Sequence, residues 1–279
     1  MNANATPTNT DTQIRGRDHI ASAFESVHSQ DRAALMPYFT LGFPDPHTSL
    51  EIITAISQAG SDLIELGVPF SDPLADGPTI QRSTQQALEA GMNVAHCLEL
   101  VAALRAREVT QPLILMGYFN PILAYGLERF VAQAAQAGAD GFIIPDLPPE
   151  EAGEMEAACQ DHKLALIYLV APTSTPQRLA LAAQRTSGFL YLVSLTGVTG
   201  ARASLPPHLK AFVDRVRAKA QPSTPLAVGF GISTSQQAGA VAALVDGVIV
   251  GSALIEAVSG TPDPAAAAGQ FIRELRAGI

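Results

Sequence analysis

Eight times along this chain a short, continuous apolar run gives way to a loop and then to a helix-like segment. The runs are 33–40 (AALMPYFT), 62–66 (DLIEL), 112–116 (PLILM), 140–144 (DGFII), 164–169 (LALIYL), 189–193 (FLYLV), 225–228 (PLAV) and 246–250 (DGVIV). They are apolar almost throughout rather than alternating, the pattern of strands buried on both faces of a parallel sheet. Between them lie segments of helical periodicity, such as 49–58, where Leu50, Ile53 and Ile56 recur on one face. A further short helix is expected around His19–Phe24, before the first strand. Eight βα units in roughly 250 residues is the arithmetic of an α/β fold of the (β/α)8 TIM-barrel type, here with an extra N-terminal helix. An open doubly wound sheet would call for G-x-G-x-x-G after the first strand, and that place holds L-G-F-P-D-P instead. No linker or shift in composition divides the chain. Residues 18–279 therefore read as a single (β/α)8 barrel behind a polar tail, 1–17, that is expected to be disordered.

Charge narrows the possible partners. With 17 Lys and Arg against 26 Asp and Glu the net charge is −9, and no basic run stands out. Nucleic acid and anionic membrane surfaces are poor partners for such a chain. No apolar stretch reaches the ~18 residues of a membrane span, and the N-terminus lacks the apolar core of a secretory signal, so a cytoplasmic location is expected. The two cysteines, Cys97 and Cys159, fit neither a zinc spacing nor a disulfide framework and read as buried thiols. The six histidines are scattered, and no metal site is expected.

In a barrel of this kind chemistry belongs at the C-terminal ends of the strands. The loops there are rich in Gly and Pro and hold 12 of the chain's 20 prolines: GFPDPH, GVPFSDPLADGPT, PDLPPE, APTSTP, SLTGVTGARASLPP, GFGIS and GSA. The last two follow the seventh and eighth strands, and each opens a helix. Backbone N–H groups at helix starts form an anion site that needs no Lys or Arg, which points to a phosphate ester as ligand. Within the second run, Glu65 stands between Ile64 and Leu66 where a buried strand would carry an apolar side chain. A carboxylate there is costly unless it is paired or used, and desolvation would tune it toward proton transfer near neutrality. Spacing alone leaves Asp76 open between turn chemistry and a second functional carboxylate. Asp62, Asp140 and Asp246 recur in equivalent turns before strands and read as structural. The loop 194–207 has the length of a lid, with Gly197 and Gly200 as hinges and Thr199 able to reach a catalytic carboxylate.

The run L-E-L-G-V-P-F-S-D-P-L-A-D-G-P-T-I-Q, together with S-L-T-G-V-T-G, G-F-G-I-S and G-S-A, resembles the tryptophan synthase alpha chain family from about Ile20 to the C-terminus. The resemblance implies retro-aldol cleavage of indole-3-glycerol phosphate to indole and glyceraldehyde 3-phosphate. No metal or cofactor is used, and the indole passes to a PLP-dependent beta chain in an α2β2 tetramer. It implies Glu65 as general acid/base and Asp76 as the carboxylate facing the indole N1–H. Gly200, Gly231, Gly251 and Ser252 correspond to phosphate-binding positions, Thr199 to the lid threonine, and Tyr191 to an active-site tyrosine. Tyr38, Met116, Tyr118, Ile143, Leu169 and Phe230 correspond to the indole pocket, and Asp72 with Pro73 to the beta-chain surface. Three other readings stay open on the residues: a lyase acting without a partner, another phosphate-binding barrel such as a sugar-phosphate isomerase, and a non-catalytic subunit.

Overall fold

The computed structural model describes residues 14–193, 208–229 and 231–279. Every strand pairing is parallel. The strands are β1 (Ala34–Thr40), β2 (Ile64–Gly67), β3 (Leu113–Met116), β4 (Gly141–Ile143), β5 (Ala165–Ile167), β6 (Leu169–Val170), β7 (Leu190–Val193), β8 (Leu226–Gly229) and β9 (Gly247–Val250). Their order in the sheet is β5-β4-β3-β2-β1-β9-β8-β7-β6.

Nine segments stand where the sequence leads one to expect eight strands, because the fifth run is broken at Tyr168. β5 pairs with β4 and β6 pairs with β7, so the two pieces are one barrel strand that closes the ring. The cause lies about twenty residues further along. The Thr186 hydroxyl accepts from the Tyr168 N–H at 3.2 Å and the Ser187 hydroxyl accepts from the Leu166 N–H at 2.9 Å. The Tyr191 N–H meanwhile donates to the Tyr168 carbonyl at 3.0 Å. Side-chain oxygens thus satisfy backbone donors at the corner where the strand changes partner.

Proline and capping residues set the helix starts. α2 (Pro46–Gln58) and α12 (Pro264–Arg276) have Pro in the first turn, and Asp45 and Asp263 accept from their third-residue N–H groups. α8 (Pro176–Arg185) begins the same way behind Thr175, and α10 (Ser235–Ala242) carries a full capping box between Thr234 and Gln237. The helices form an outer layer, and the larger apolar core lies between them and the strands. A second core fills the barrel itself: Met36, Ile114, Ile143, Ile167, Phe189 and Ile249 meet there. Its floor is α1 (Arg17–His28), which brings in Ile20, Phe24 and Val27, with the Phe24 and Phe189 ring centroids 5.7 Å apart.

The strand-entry aspartates are structural. Asp62, Asp140 and Asp246 each accept from the first or second N–H of the neighbouring strand, on Leu35, Leu113 and Leu226, at 2.7–2.8 Å. Each also meets arginine: Arg32 and Arg276 on Asp62, Arg105 on Asp140, Arg217 on Asp246. Asp140 is fully buried and also accepts from the Gly16 N–H at 2.7 Å, with His19 Nδ1 at 3.0 Å, tying α1 to the floor. Gly16 and Arg17, expected in the tail, are therefore part of the barrel, while residues 1–13 lie outside the described residues.

Candidate active site at the barrel mouth

Strand polarity places Glu65 in the upper half of the barrel interior. In register it lies beside Tyr38 of β1 and Ile114 of β3. It is fully buried, and neither carboxylate oxygen has a hydrogen-bond partner among the described residues. Burial alone pushes its carboxyl up to about 8, so at pH 7 it carries its proton. Asp76 sits eleven residues on, in the loop ahead of α3 (Pro78–Glu89). Burial raises it to about 6, against the pull of a hydrogen bond from the Tyr118 side chain. At pH 7 it is ionised. One site thus presents a carboxylic acid and a carboxylate, their protonation set apart by surroundings.

A cleft of about 180 Å³ opens at this end, lined by Tyr38, Met116, Tyr191, Gly231, Gly251 and Ser252 among others. Six expected site residues from five different strands and their loops therefore share one cavity. Two tyrosines shape it, and each requires a glycine opposite. A β-carbon on Gly67 would stand 2.1 Å from the Tyr38 hydroxyl, and one on Gly229 would stand 2.4 Å from the Tyr191 hydroxyl. Ser252 begins α11 (Ser252–Val258) directly after Gly251.

Other expectations land elsewhere. Ile143 is fully buried and belongs to the barrel core beneath the cleft, with Leu169 packed against that core. Tyr118 is not simply an apolar wall. Its hydroxyl accepts from the Ala75 N–H at 2.8 Å and bonds Asp76, and its ring packs on Phe70 with centroids 5.3 Å apart. It therefore fixes the Asp76 loop at both ends, a role an aromatic at a strand end does not announce in sequence. Asp72 is exposed, and Leu74 beside it is 93% exposed. Ile80 and Ile249 line the cleft without having been singled out. Their only sequence signal was membership of an apolar run or helix face. Thr199, Gly200, Phe230 and the expected lid lie outside the described residues.

A larger concavity, about 700 Å³, lies at the opposite end, between α1, α10 and the loop before β8. There Asp246 is tied to Arg217. Glu65, by contrast, has no hydrogen-bond partner among the described residues and lies toward the mouth, the end where barrel enzymes do chemistry. Among the described residues no group of His, Cys, Asp and Glu is placed to hold a metal. Both cysteines are buried free thiols, and among the described residues no single helix is long and apolar enough to cross a membrane.

The family model described as tryptophan synthase alpha chain matches residues 24–275. The chain belongs to the tryptophan synthase alpha chain family. The tryptophan synthase alpha chain of Chloroflexus aurantiacus is 51% identical over 262 residues, covering 93% of this chain and 98% of that one. That of Gluconacetobacter diazotrophicus is 48% identical over 250 residues, covering 90% of each. Among solved structures, tryptophan synthase of Mycobacterium tuberculosis superposes with a TM-score of 0.87 at 40% identity, over 95% of this chain and 99% of that chain. The alpha subunit from Legionella pneumophila gives 0.85 at 38%, over 94% and 98%. These likenesses extend over the barrel as a whole.

Proposed function

We propose that this alpha chain cleaves indole-3-glycerol phosphate to indole and glyceraldehyde 3-phosphate, with Glu65 and Asp76 as the two proton-handling groups. The observation that carries this is Glu65, a fully buried carboxyl without a hydrogen-bond partner among the described residues, on the strand between the cleft's Tyr38 and Met116, with Asp76 held on the following loop by Tyr118. Retro-aldol cleavage needs a proton delivered to indole C3 and another removed from the glycerol 3′-hydroxyl. Glu65 enters protonated and gives its proton to C3. The positive charge that develops on the ring nitrogen is met by ionised Asp76. Glu65, now a carboxylate, takes the 3′-hydroxyl proton. The bond from C3 to the side chain breaks, its electron pair returns to the ring, and the 3′-carbon leaves as the aldehyde. Glu65 ends as it began, so protons balance without a further donor. These side chains supply both transfers, and no cofactor of this chain's own is called on. A positioned acid/base accounts for about 10²–10⁴-fold of the rate.

The phosphate is held at the Gly231 and Gly251–Ser252 loops, where backbone N–H groups serve an acidic protein without basic side chains. Gly200 and the Thr199 lid would complete the enclosure. The neighbouring surface of Asp72, Pro73 and exposed Leu74 is the docking place for a beta chain, which holds the PLP. A cytoplasmic setting suits a chain that hands a small apolar product to a partner. The test is indole release from indole-3-glycerol phosphate by the purified chain, with and without a beta chain. Turnover that survives Glu65→Gln at the wild-type rate would overturn the assignment.

A further inference from the structure

We propose that the Tyr38 hydroxyl is a positioning donor for Glu65, swinging onto its carboxylate in the interval when the proton is on the substrate. This rests on Glu65 acting as proposed above.

The need comes from Glu65 itself. Protonated, it is a neutral buried group without a hydrogen-bond partner among the described residues. Once it has given its proton away it becomes a buried anion, and an unpaired buried charge is far costlier than a buried neutral acid. A donor that engages only then would stabilise the intermediate over the resting state, the kind of interaction that raises turnover.

Tyr38 is the side chain placed to do this. It is the register partner of Glu65 on the adjacent strand and is 6% exposed. Its hydroxyl reaches diagonally over β2, to 2.1 Å from where a Gly67 β-carbon would be. Gly67 lies two residues past Glu65 on the same face, so the hydroxyl stands just above the carboxylate, toward the mouth. Gly251 packs on the other side of the ring, where a β-carbon would meet it at 3.2 Å. The ring is thus held between two glycines while the hydroxyl can still rotate.

The hydroxyl's proton is also weakly committed. Its one partner among the described residues is the Thr40 hydroxyl at 3.5 Å, the outer limit of a hydrogen bond. Thr40 is engaged more tightly with Ser83 at 2.7 Å, and Ser83 donates to the Ile80 carbonyl at 2.9 Å. Since Thr40 gives its proton to Ser83, the Tyr38 hydroxyl is the donor in the 3.5 Å contact, and turning onto Glu65 forfeits only that marginal bond. The other titratable groups around the site are Asp76 and Tyr118 on their loops and Tyr191 on β7. Tyr118 is occupied with Ala75 and Asp76. Tyr191 faces the same lumen and feels the Glu65 charge, but its hydroxyl is lodged over Gly229 of β8, not over β2. From β3 the register neighbour is Ile114, which donates nothing.

The experiment is Tyr38→Phe, which keeps the ring and removes the hydroxyl, beside wild type, Tyr38→Leu and Glu65→Gln. A hydrogen bond to a charged group predicts a fall in kcat of about tenfold or more, with KM little changed. Losing a donor to the carboxylate also raises the Glu65 titration midpoint. The alkaline limb of kcat should therefore move to higher pH, as should the carboxyl infrared band that Glu65→Gln abolishes. The infrared titration needs no substrate and separates a role at Glu65 from a packing role. Tyr38→Leu should raise KM in addition. An unchanged kcat and midpoint in Tyr38→Phe overturns the inference, as does a rise in KM alone or a downward shift of the midpoint. If wild type itself releases no indole, the proposed reaction falls and this falls with it. If wild type turns over and Tyr38→Phe matches it, the inference falls alone.

Discussion

Replacing Glu65 with glutamine should make the protein gain stability over wild type as the pH rises, while abolishing its turnover. The carboxyl has an ordinary value of 4.5 and is lifted to about 8 by burial, with no partner among the described residues to offset the cost. Above 4.5 the unfolded chain releases this proton and the folded protein keeps it. The associated stability is complete below 4.5 and is lost progressively until the folded group itself ionises near 8. Within that window each pH unit costs about 1.4 kcal/mol. Between pH 5 and pH 7.5 wild type should therefore lose roughly 3 kcal/mol that the glutamine variant does not, because an amide does not titrate. Asp76 is raised too, to about 6, but it is present in both proteins and cancels in the difference. The assay is urea unfolding of both proteins at half-unit pH steps, compared through their midpoints at constant slope. Stability curves that run parallel across this window would refute the claim that Glu65 is buried as an unpaired acid. So large a cost at a single position fits a residue kept for its chemistry rather than for the fold.

The pH dependence of kcat/KM should be bell-shaped, rising as Asp76 ionises near 6 and falling as Glu65 loses its proton near 8. Asp76→Asn should remove the acid limb and lower turnover by about 10²–10³-fold with the fold intact, read by steady-state indole release and circular dichroism. Asp140→Ala leaves Arg105, the Gly16 and Leu113 N–H groups and His19 without their shared acceptor, and should cost about 3–5 kcal/mol in unfolding free energy. Gly67→Ala drives a methyl into the Tyr38 hydroxyl and should cost about 1–3 kcal/mol, together with much of the turnover. A phosphate-free indole glycerol should bind far more weakly than the phosphate ester in calorimetry, and equal affinity would count against the phosphate loops.

The barrel was legible because its signal is redundant. Eight apolar runs of two-sided strands, each followed by a helix, leave little choice of fold. Glu65 was legible for the opposite reason, as one residue that breaks the pattern of its strand. What stayed hidden depends on contacts between distant segments. LALIYL reads as one strand, and nothing in it reveals that Thr186 and Ser187 will take its N–H groups and turn it at Tyr168. The short helix α5 (Phe119–Tyr125) was missed because seven residues with a proline show no periodicity; the Asp146 carboxylate accepts from its first N–H at 2.9 Å. The Tyr118 hydroxyl on Ala75 and Asp76 was likewise out of reach, since an aromatic at a strand end looks the same whichever way its polar tip points.

The tie between α1 and Asp140 bears on the order in which the molecule is assembled. The Gly16 N–H and its acceptor are 124 residues apart in the chain, and Phe24 packs its ring against Phe189, further still. On a ribosome α1 emerges well before either its anchor or its ring partner, and neither exists until most of the barrel has been made. Ile20, Phe24 and Val27 must wait uncovered meanwhile, so α1 docks only after the strands it closes have been made, and the floor of the barrel is laid after its walls.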